Sequence, residues 1–381
     1  MKNIALIILT VSLFASCSNK KEIPQLLEGN FSMHTITFEE DKPNINLEKD
    51  NLKDILVLLH HRKTPLEIKK HFKMNDSIWN ERTNFLFGEG LIKKFNDSSF
   101  IPTIFVLDEE NGIALRKFTD SLGIEMSGIA IDRLSKIKEA YQKISSLKNI
   151  PFENLSMLVL GGVVHDFEQL RIYQEQFIKA FVPQRGNTNY YMCLLQNRRK
   201  ESNPKFYETL YYNYPAFYLV SFASTYYERN IATYSTSELT RDFEKPVTES
   251  DSVYQFYLLK EIIKLNINPD YKPGENIYNG FVKTGMVVNE KSTIHFLTKE
   301  DFEKVKTFYS SASQDIINYF ENRQTLFVKW YLNSPYREET SYKEWTMWVY
   351  KMITAKAVDV LAEKSYIKTF GGNTAAFIVE K

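Results

Sequence analysis

Apolar residues along this chain fall into two periods. Residues 52–60 are apolar at helical spacing. The next segment carries its own start signal. In Thr64-Pro65-Leu66-Glu67 the threonine caps, the proline takes the first helical position and the glutamate reaches back to the cap. Ile68 and Phe72 continue that helix. A third helix, capped by Asp76 or Ser77, is expected to run to about Glu89 and stop at Gly90. Residues 32–38, 91–95, 103–107 and 190–195 read instead as extended, apolar segments. An acidic helix start follows residue 107, and residues 155–164 form an apolar helix further on. Trp345 and Trp348 stand at helical spacing and belong to a core. The pattern predicts an α+β fold, mainly helical.

The pattern also repeats. Shifted by 190 positions, Gly90-Leu91-Ile92-Lys93 meets Gly280-Phe281-Val282-Lys283, and Thr103-Ile104-Phe105-Val106-Leu107 meets Thr293-Ile294-His295-Phe296-Leu297. Phe118 meets Phe308, Ser121 meets Ser311, Tyr141 meets Tyr331, and Ser156-Met157 meets Thr346-Met347. After a small deletion Gly186-Asn187-Thr188 meets Gly372-Asn373-Thr374, a tight-turn sequence before a strand-like run in both places. The common order and near-constant offset predict an internal duplication. Two copies do not make a solenoid; they make two related lobes, each a winged-helix-like strand-helix-strand unit. The expected divisions are 1–16, 17–50 as a tether, 51–197 as the first lobe, and 198–381 as the second lobe, opened by an aromatic-rich segment.

Composition narrows the class. With 381 residues the chain is long enough for two domains. A formal net charge of +1 provides no long-range attraction to nucleic acid or anionic lipid. The N-terminus is informative: Met-Lys-Asn, an apolar run over residues 4–15, then Ser16-Cys17. That run is too short to span a membrane, which takes about 20 apolar residues, and it fits a secretory signal. Leu13-Phe14-Ala15-Ser16-Cys17 resembles the lipobox of bacterial lipoproteins. The resemblance implies cleavage before Cys17 and acylation of Cys17, palmitate included. Ser18 after the cysteine resembles outer-membrane-sorted lipoproteins and implies an envelope protein facing the periplasm. The other cysteine, Cys193, lies in an apolar run and reads as a small buried hydrophobe.

Three short helices followed by Gly90-Leu91-Ile92 and a hairpin resemble a winged helix-turn-helix domain over residues 52–106. The residues that carry the likeness are Thr64, Pro65, Glu67, Ile68, Phe72, Ser77, Phe85, Leu86 and Gly90. DNA binding is the first function such a domain suggests. Phosphate neutralisation by Lys and Arg dominates DNA affinity, whereas the third helix carries Asp76 and Glu81 beside Arg82, so no nucleic-acid partner is expected.

Catalytic and metal motifs are sparse. No His-Glu-x-x-His or Cys-x-x-Cys spacing occurs, and His60 and His61, adjacent on a helix, are expected to point about 100° apart. No cofactor or metal is expected. His165-Asp166-x-Glu168 is the best acid–base candidate, the basis of an alternative envelope hydrolase; the aligned positions in the second copy are Ala355, Lys356 and Val358, and a helix-surface cluster is the simpler reading. Ser-x-x-Lys recurs at Ser18, Ser135, Ser145 and Ser365, a spread that marks chance rather than a nucleophile. The run from Phe206 to Tyr227 is rich in rings. Tyr211, Tyr212 and Tyr214, with Trp79, are the candidates for a ligand or partner surface, since tyrosine offers apolar area with a polar tip; the competing expectation is that the run packs the seam between lobes. The reading that follows is an envelope lipoprotein that binds a ligand or an envelope protein partner without catalysis.

Overall fold

Strands whose two faces are both buried read as unbroken apolar runs, and among the described residues two sheets have inner strands of this kind. The computed structural model describes residues 21–38, 43–97, 99–197, 205–224, 230–268, 270–368 and 375–381. Cys17, the signal segment and Gly372-Asn373-Thr374 lie outside the described residues.

The first half contains α1 (Ile23–Leu26), β1 (Phe31–Ile36), α2 (Leu52–His60), α3 (Pro65–Phe72), α4 (Asp76–Gly88), the hairpin β2 (Ile92–Asn96) and β3 (Ser99–Pro102), β4 (Phe105–Leu107) and α5 (Glu109–Gln142). It continues with α6 (Phe152–Ser156), a π-helical stretch (Met157–Asp166), α7 (Phe167–Ile172), a second π-helical stretch (Tyr173–Ile178), the short pair β5 (Gln184–Arg185) and β6 (Thr188–Asn189), and β7 (Tyr191–Gln196). The second half contains β8 (Tyr207–Asn213), β9 (Phe217–Ser224), α8 (Thr236–Phe243), α9 (Asp251–Ile267), α10 (Glu275–Lys283), β10 (Val287–Val288), β11 (Lys291–Ser292) and β12 (His295–Leu297). It ends with α11 (Lys299–Lys306), α12 (Ser313–Glu321), α13 (Gln324–Leu332), α14 (Tyr336–Glu339), α15 (Tyr342–Glu363) and β13 (Ala375–Glu380). The chain is therefore α+β and mainly helical.

The sheets have like topology. In the first, β7 lies between antiparallel β1 and parallel β4. In the second, β13 lies between antiparallel β9 and parallel β12, and β8 adds an outer strand beside β9. Alternation assigns each face. Phe105, Leu107, Tyr191, Cys193 and Leu195 face a central core, while Ile104, Val106, Tyr190, Met192 and Leu194 face an outer core with α2 and α4. Phe377 and Val379 face the same central core, and Ala376, Ile378, Phe217 and Leu219 face a second outer core with α8, α9 and α10. The central core draws on both halves, so the division near residue 198 is crossed by shared packing.

Local signals decide the outer helices. Thr64 and Glu67 form the expected capping box on α3. Ser235 and Glu238 form another on α8, each cap being worth about 1 kcal/mol. Both helices end in a left-handed residue, Lys73 (φ 53°) and Glu244 (φ 55°). The third helix is capped by Asn75, one residue earlier than expected, because its side chain accepts the Ile78 N–H. Gly90 (φ 68°) ends α4, and Gly285 (φ 74°) follows α10 in the same way. Thr103 Oγ1 donates to the Gly90 carbonyl, and Thr293 Oγ1 to the Gly285 carbonyl. Gly90 thus matches Gly285 in role and not Gly280, which sits inside α10 where a Cβ would meet the Asp242 carbonyl and the Phe243 ring at 2.4 Å. Residues 205–265 hold the β8–β9 hairpin, α8 and α9; the short hairpin of the second half is β10–β11.

The long helices differ between halves. Residues 109–142 are one helix, α5, whereas 299–332, shifted by 190, are broken into α11, a 3₁₀ turn, α12 and α13. Conversely 342–363 are one helix, α15, whereas 152–172 pass through α6, the π-helical stretch and α7. The apolar segment expected as a plain helix over 155–164 is thus π-helical over most of its length. Gly161 lies there against Phe222 of β9, whose ring would be 2.4 Å from an added Cβ.

α15 runs through the middle with Trp345 and Trp348 fully buried. Two charges on it fasten the sheets. Glu344 accepts the Met192 N–H of β7 at 3.1 Å and pairs with Arg185 at 2.6 Å. Lys351, two turns on, donates to the Tyr207 carbonyl of β8 at 2.6 Å and pairs with Asp166.

Candidate functional site

The aromatic hairpin β8–β9 splits its tyrosines. Successive residues of a strand point to opposite faces, so Tyr207 and Tyr211 pack toward the central core, while Tyr212 and Tyr214 pack toward the outer core of α8–α10. Tyr214 stacks with Phe256 at 6.0 Å. Trp79, expected on a partner-facing surface, is 6% exposed within the outer core of α2 and α4. Trp79 is buried, and the strand period turns Tyr212 and Tyr214 to the face opposite Tyr211, which lines a pocket.

That pocket, about 330 Å³, is lined by Phe167, Tyr211, Tyr218, Phe302, Lys299, Glu303, Lys306, Val379, Glu380 and Lys381. Phe167 contacts Tyr211 at 5.6 Å and Phe302 at 6.2 Å between ring centroids. Tyr211 meets Tyr218 edge-on at 6.4 Å. Lysines cover the rings: Lys306 Nζ lies 5.5 Å from the Phe302 centroid and Lys381 Nζ 4.8 Å from that of Tyr218. The Tyr211 hydroxyl is buried and makes no hydrogen bond to a described residue. Burial first, then repulsion by Glu168, Asp166 and Glu303, raises its pKa, which keeps it a neutral O–H donor. The rim also holds Glu303, paired with Lys306 at 2.6 Å, and Glu380; aromatic walls under three lysines and two glutamates suit an apolar body bearing an anionic group.

A second pocket, about 300 Å³, occupies the matching place in the first half. Both lie at the carboxyl ends of the parallel strand pairs, where open α/β sheets commonly bind ligands. The first-half pocket has Gln196 at the end of β7 and Asp108, Glu109 and Glu110 at the start of α5. The second-half pocket has Val379 and Glu380 at the end of β13 and Lys299, Phe302 and Glu303 in α11. In the former, Gln196 Oε1 accepts the Glu109 N–H at 2.8 Å and His61 stands at the wall.

The two adjacent histidines do converge. His60 ends α2, and the His61 backbone leaves the helix (φ −81°, ψ 15°), so the 100° rule for helix neighbours no longer applies. Their rings lie 5.1 Å apart. His60 Nδ1 meets Glu339 Oε2 of α14 at 2.7 Å, and Arg62 holds the other oxygen of Glu339 at 2.8 Å. His61 Nε2 lies 3.3 Å from Asp108 Oδ2. Burial lowers the His61 pKa to about 4, helped by His60. Burial also works against protonation of His60, but Glu339 outweighs it and its pKa is raised. The sequence signal was present as His-His at a helix end; the partners, Asp108 and Glu339, lie 47 and 278 residues beyond His61 and are visible only in three dimensions.

His165 and Asp166 turn to different hydrogen-bond partners. His165 is fully buried, its Nδ1 facing the Leu160 carbonyl at 2.5 Å and its Nε2 unpartnered among the described residues, and burial lowers its pKa. Asp166 is taken by Lys351 and by the N–H and hydroxyl of Thr209. Cys193 is fully buried on β7. No described helix is long and apolar enough to cross a membrane. Comparison with family models, curated proteins and solved structures returns no match.

Proposed function

We propose that the chain is an envelope lipoprotein, acylated at Cys17 and held at the outer membrane facing the periplasm, which binds without catalysis a small ligand with an apolar body and one anionic group. The observation that carries the binding reading is the Tyr211 hydroxyl: a buried donor without a partner among the described residues, inside a ring-walled pocket. Buried polar groups are almost always paired, and a ligand acceptor supplies the missing partner while Lys299, Lys306 or Lys381 meets its charge. The sequence Leu13-Phe14-Ala15-Ser16-Cys17 followed by Ser18 supports the anchor, since two or three acyl chains hold a protein stably on a bilayer.

Two experiments test the two parts. Metabolic acyl labelling is expected to mark the wild type and not Cys17→Ala; label on both, or on neither, removes the anchor. Titration of the full chain with an anilinonaphthalene sulfonate, an apolar body with one anionic group, is expected to saturate at one equivalent. Tyr211→Ala and Lys306→Glu should each weaken it about tenfold, or about 1.4 kcal/mol. Binding that neither change affects would place the ligand elsewhere. Cross-linking in intact cells followed by mass spectrometry then separates a small ligand from an envelope protein presenting the same group.

The two halves are further proposed to descend from one duplicated unit. Supporting this are the like sheet order, the helix caps Asp108 and Thr298 placed 190 residues apart after a parallel strand, and the paired Thr–Gly hydrogen bonds of Thr103 and Thr293.

A further inference from the structure

The His60–His61–Asp108 cluster has a geometry that the ligand-binding reading does not use. One nitrogen or oxygen from each of the three residues lies within 4.8 Å of the others. A tetrahedral ion with bonds of about 2.0–2.2 Å spans ligand atoms separated by less than that, so a small closing movement suffices. The His61 Nε2 to Asp108 Oδ2 distance, 3.3 Å, is longer than the about 2.7–2.9 Å of a charge-assisted hydrogen bond. The two atoms stand side by side, as co-ligands do, rather than bonded to each other.

The surroundings fit as well. Metal-bound histidines characteristically donate their other ring N–H to a carboxylate, which fixes the tautomer and the ring. His60 Nδ1 does this toward Glu339, itself fully buried and held by Arg62. Tyr336 stacks on the His60 ring at 5.9 Å. That arrangement leaves His60 Nε2 with its lone pair, directed at the Asn111 side-chain amide 3.1 Å away in the first turn of α5. Asp108 is fixed by accepting the Asn111 N–H at 2.7 Å through Oδ1, leaving Oδ2 toward His61. His60 is buried, whereas His61 and Asp108 line the 300 Å³ pocket. Two imidazoles and one carboxylate, with one side open to a pocket, make a donor set for a zinc-class ion that keeps a free coordination position.

We infer that His60 Nε2, His61 Nε2 and Asp108 Oδ2 bind one zinc-class divalent ion, with Glu339 as the outer carboxylate that orients His60 and the free position facing the first-half pocket. Asn111 moves off His60 when the ion enters. The site is independent of the Tyr211 pocket.

The test uses the full chain in detergent, stripped with a chelator and titrated with Co²⁺, then with Zn²⁺ in competition. Expected is one equivalent of Co²⁺ with visible d–d bands, displaced by Zn²⁺. His61→Ala and Asp108→Asn should each abolish the bands; asparagine keeps the helix cap, so the second variant remains folded by circular dichroism. Glu339→Gln should weaken binding 10- to 100-fold through loss of orientation. Absence of d–d bands in the wild type overturns the assignment. So does metal binding of unchanged affinity in both ligand variants, which would leave the cluster as a clamp between α2, α5 and α14.

Discussion

Asp108 and Thr298 hold the same place in the two halves, 190 residues apart, and each caps the helix that follows a parallel strand. Asp108 accepts the Asn111 N–H and Thr298 the Asp301 N–H. As caps the two residue types are nearly interchangeable, so the fold is indifferent between them. The pockets are not. Beside Asp108 stand His61 and two further carboxylates; beside Thr298 stand Lys299, Phe302 and Lys306. The same backbone thus presents an imidazole–carboxylate wall at one end of the molecule and an aromatic–ammonium wall at the other. Architecture places a pocket, and the side chains around it decide its chemistry.

The comparison extends to how each sheet is tied to α15, and there the largest effects are expected. Arg185→Met leaves Glu344 buried without its partner, and Lys351→Met does the same to Asp166. Each should cost about 3–5 kcal/mol of unfolding free energy in urea denaturation. A loss near zero for one and not the other would show that only one sheet depends on its charge.

Next is His295, which stands in β12 where Phe105 stands in β4. Burial lowers its pKa to about 4 against an ordinary 6.5. The unfolded chain therefore takes up a proton before the folded one does. Stability from this group is complete above pH 6.5, falls as pH drops, and is down by about 3 kcal/mol near pH 4. His295→Phe, making the second sheet like the first, should remove that part of the pH dependence in thermal melts at pH 7 and pH 4.5. An unchanged slope would mean that other groups govern acid unfolding.

The smallest effects test the paired hydrogen bonds. Thr293→Val removes one bond, to the Gly285 carbonyl, and should cost about 1 kcal/mol. Thr103→Val removes the bond to Gly90 and also the acceptor for Arg185 Nη1 at 3.0 Å, so about 2 kcal/mol is expected. Equal costs would indicate that Arg185 re-pairs without penalty.

Much of the outer layers was legible in the chain. Thr64-Pro65-Leu66-Glu67 states a helix start because its hydrogen bonds are closed within four residues. Gly90 states a helix end because only a left-handed turn lets the chain leave there. Ser235-Thr236-Ser237-Glu238 carries the same message without a proline, its capping box likewise closed within four residues. The site residues were less legible. Tyr211, Tyr212 and Tyr214 look alike in sequence, and the strand period then separates Tyr211 from the others by one face. Trp79 looks as available as any tryptophan until α4 carries it into the outer core with α2. His60-His61 reads as divergent until the helix is seen to end between the two residues.

The sequence by itself determined the helix caps and the alternation that buries both faces of β4, β7 and β13, because these are written in residues near one another or in a period. Only the tertiary structure decided that α5 runs unbroken while its counterpart breaks, that Gly161 yields to Phe222, and that His61 meets Asp108 while His60 meets Glu339. Those outcomes depend on which distant side chain fills a given space or supplies a given charge. Packing and desolvation settle that only when the whole chain is in place.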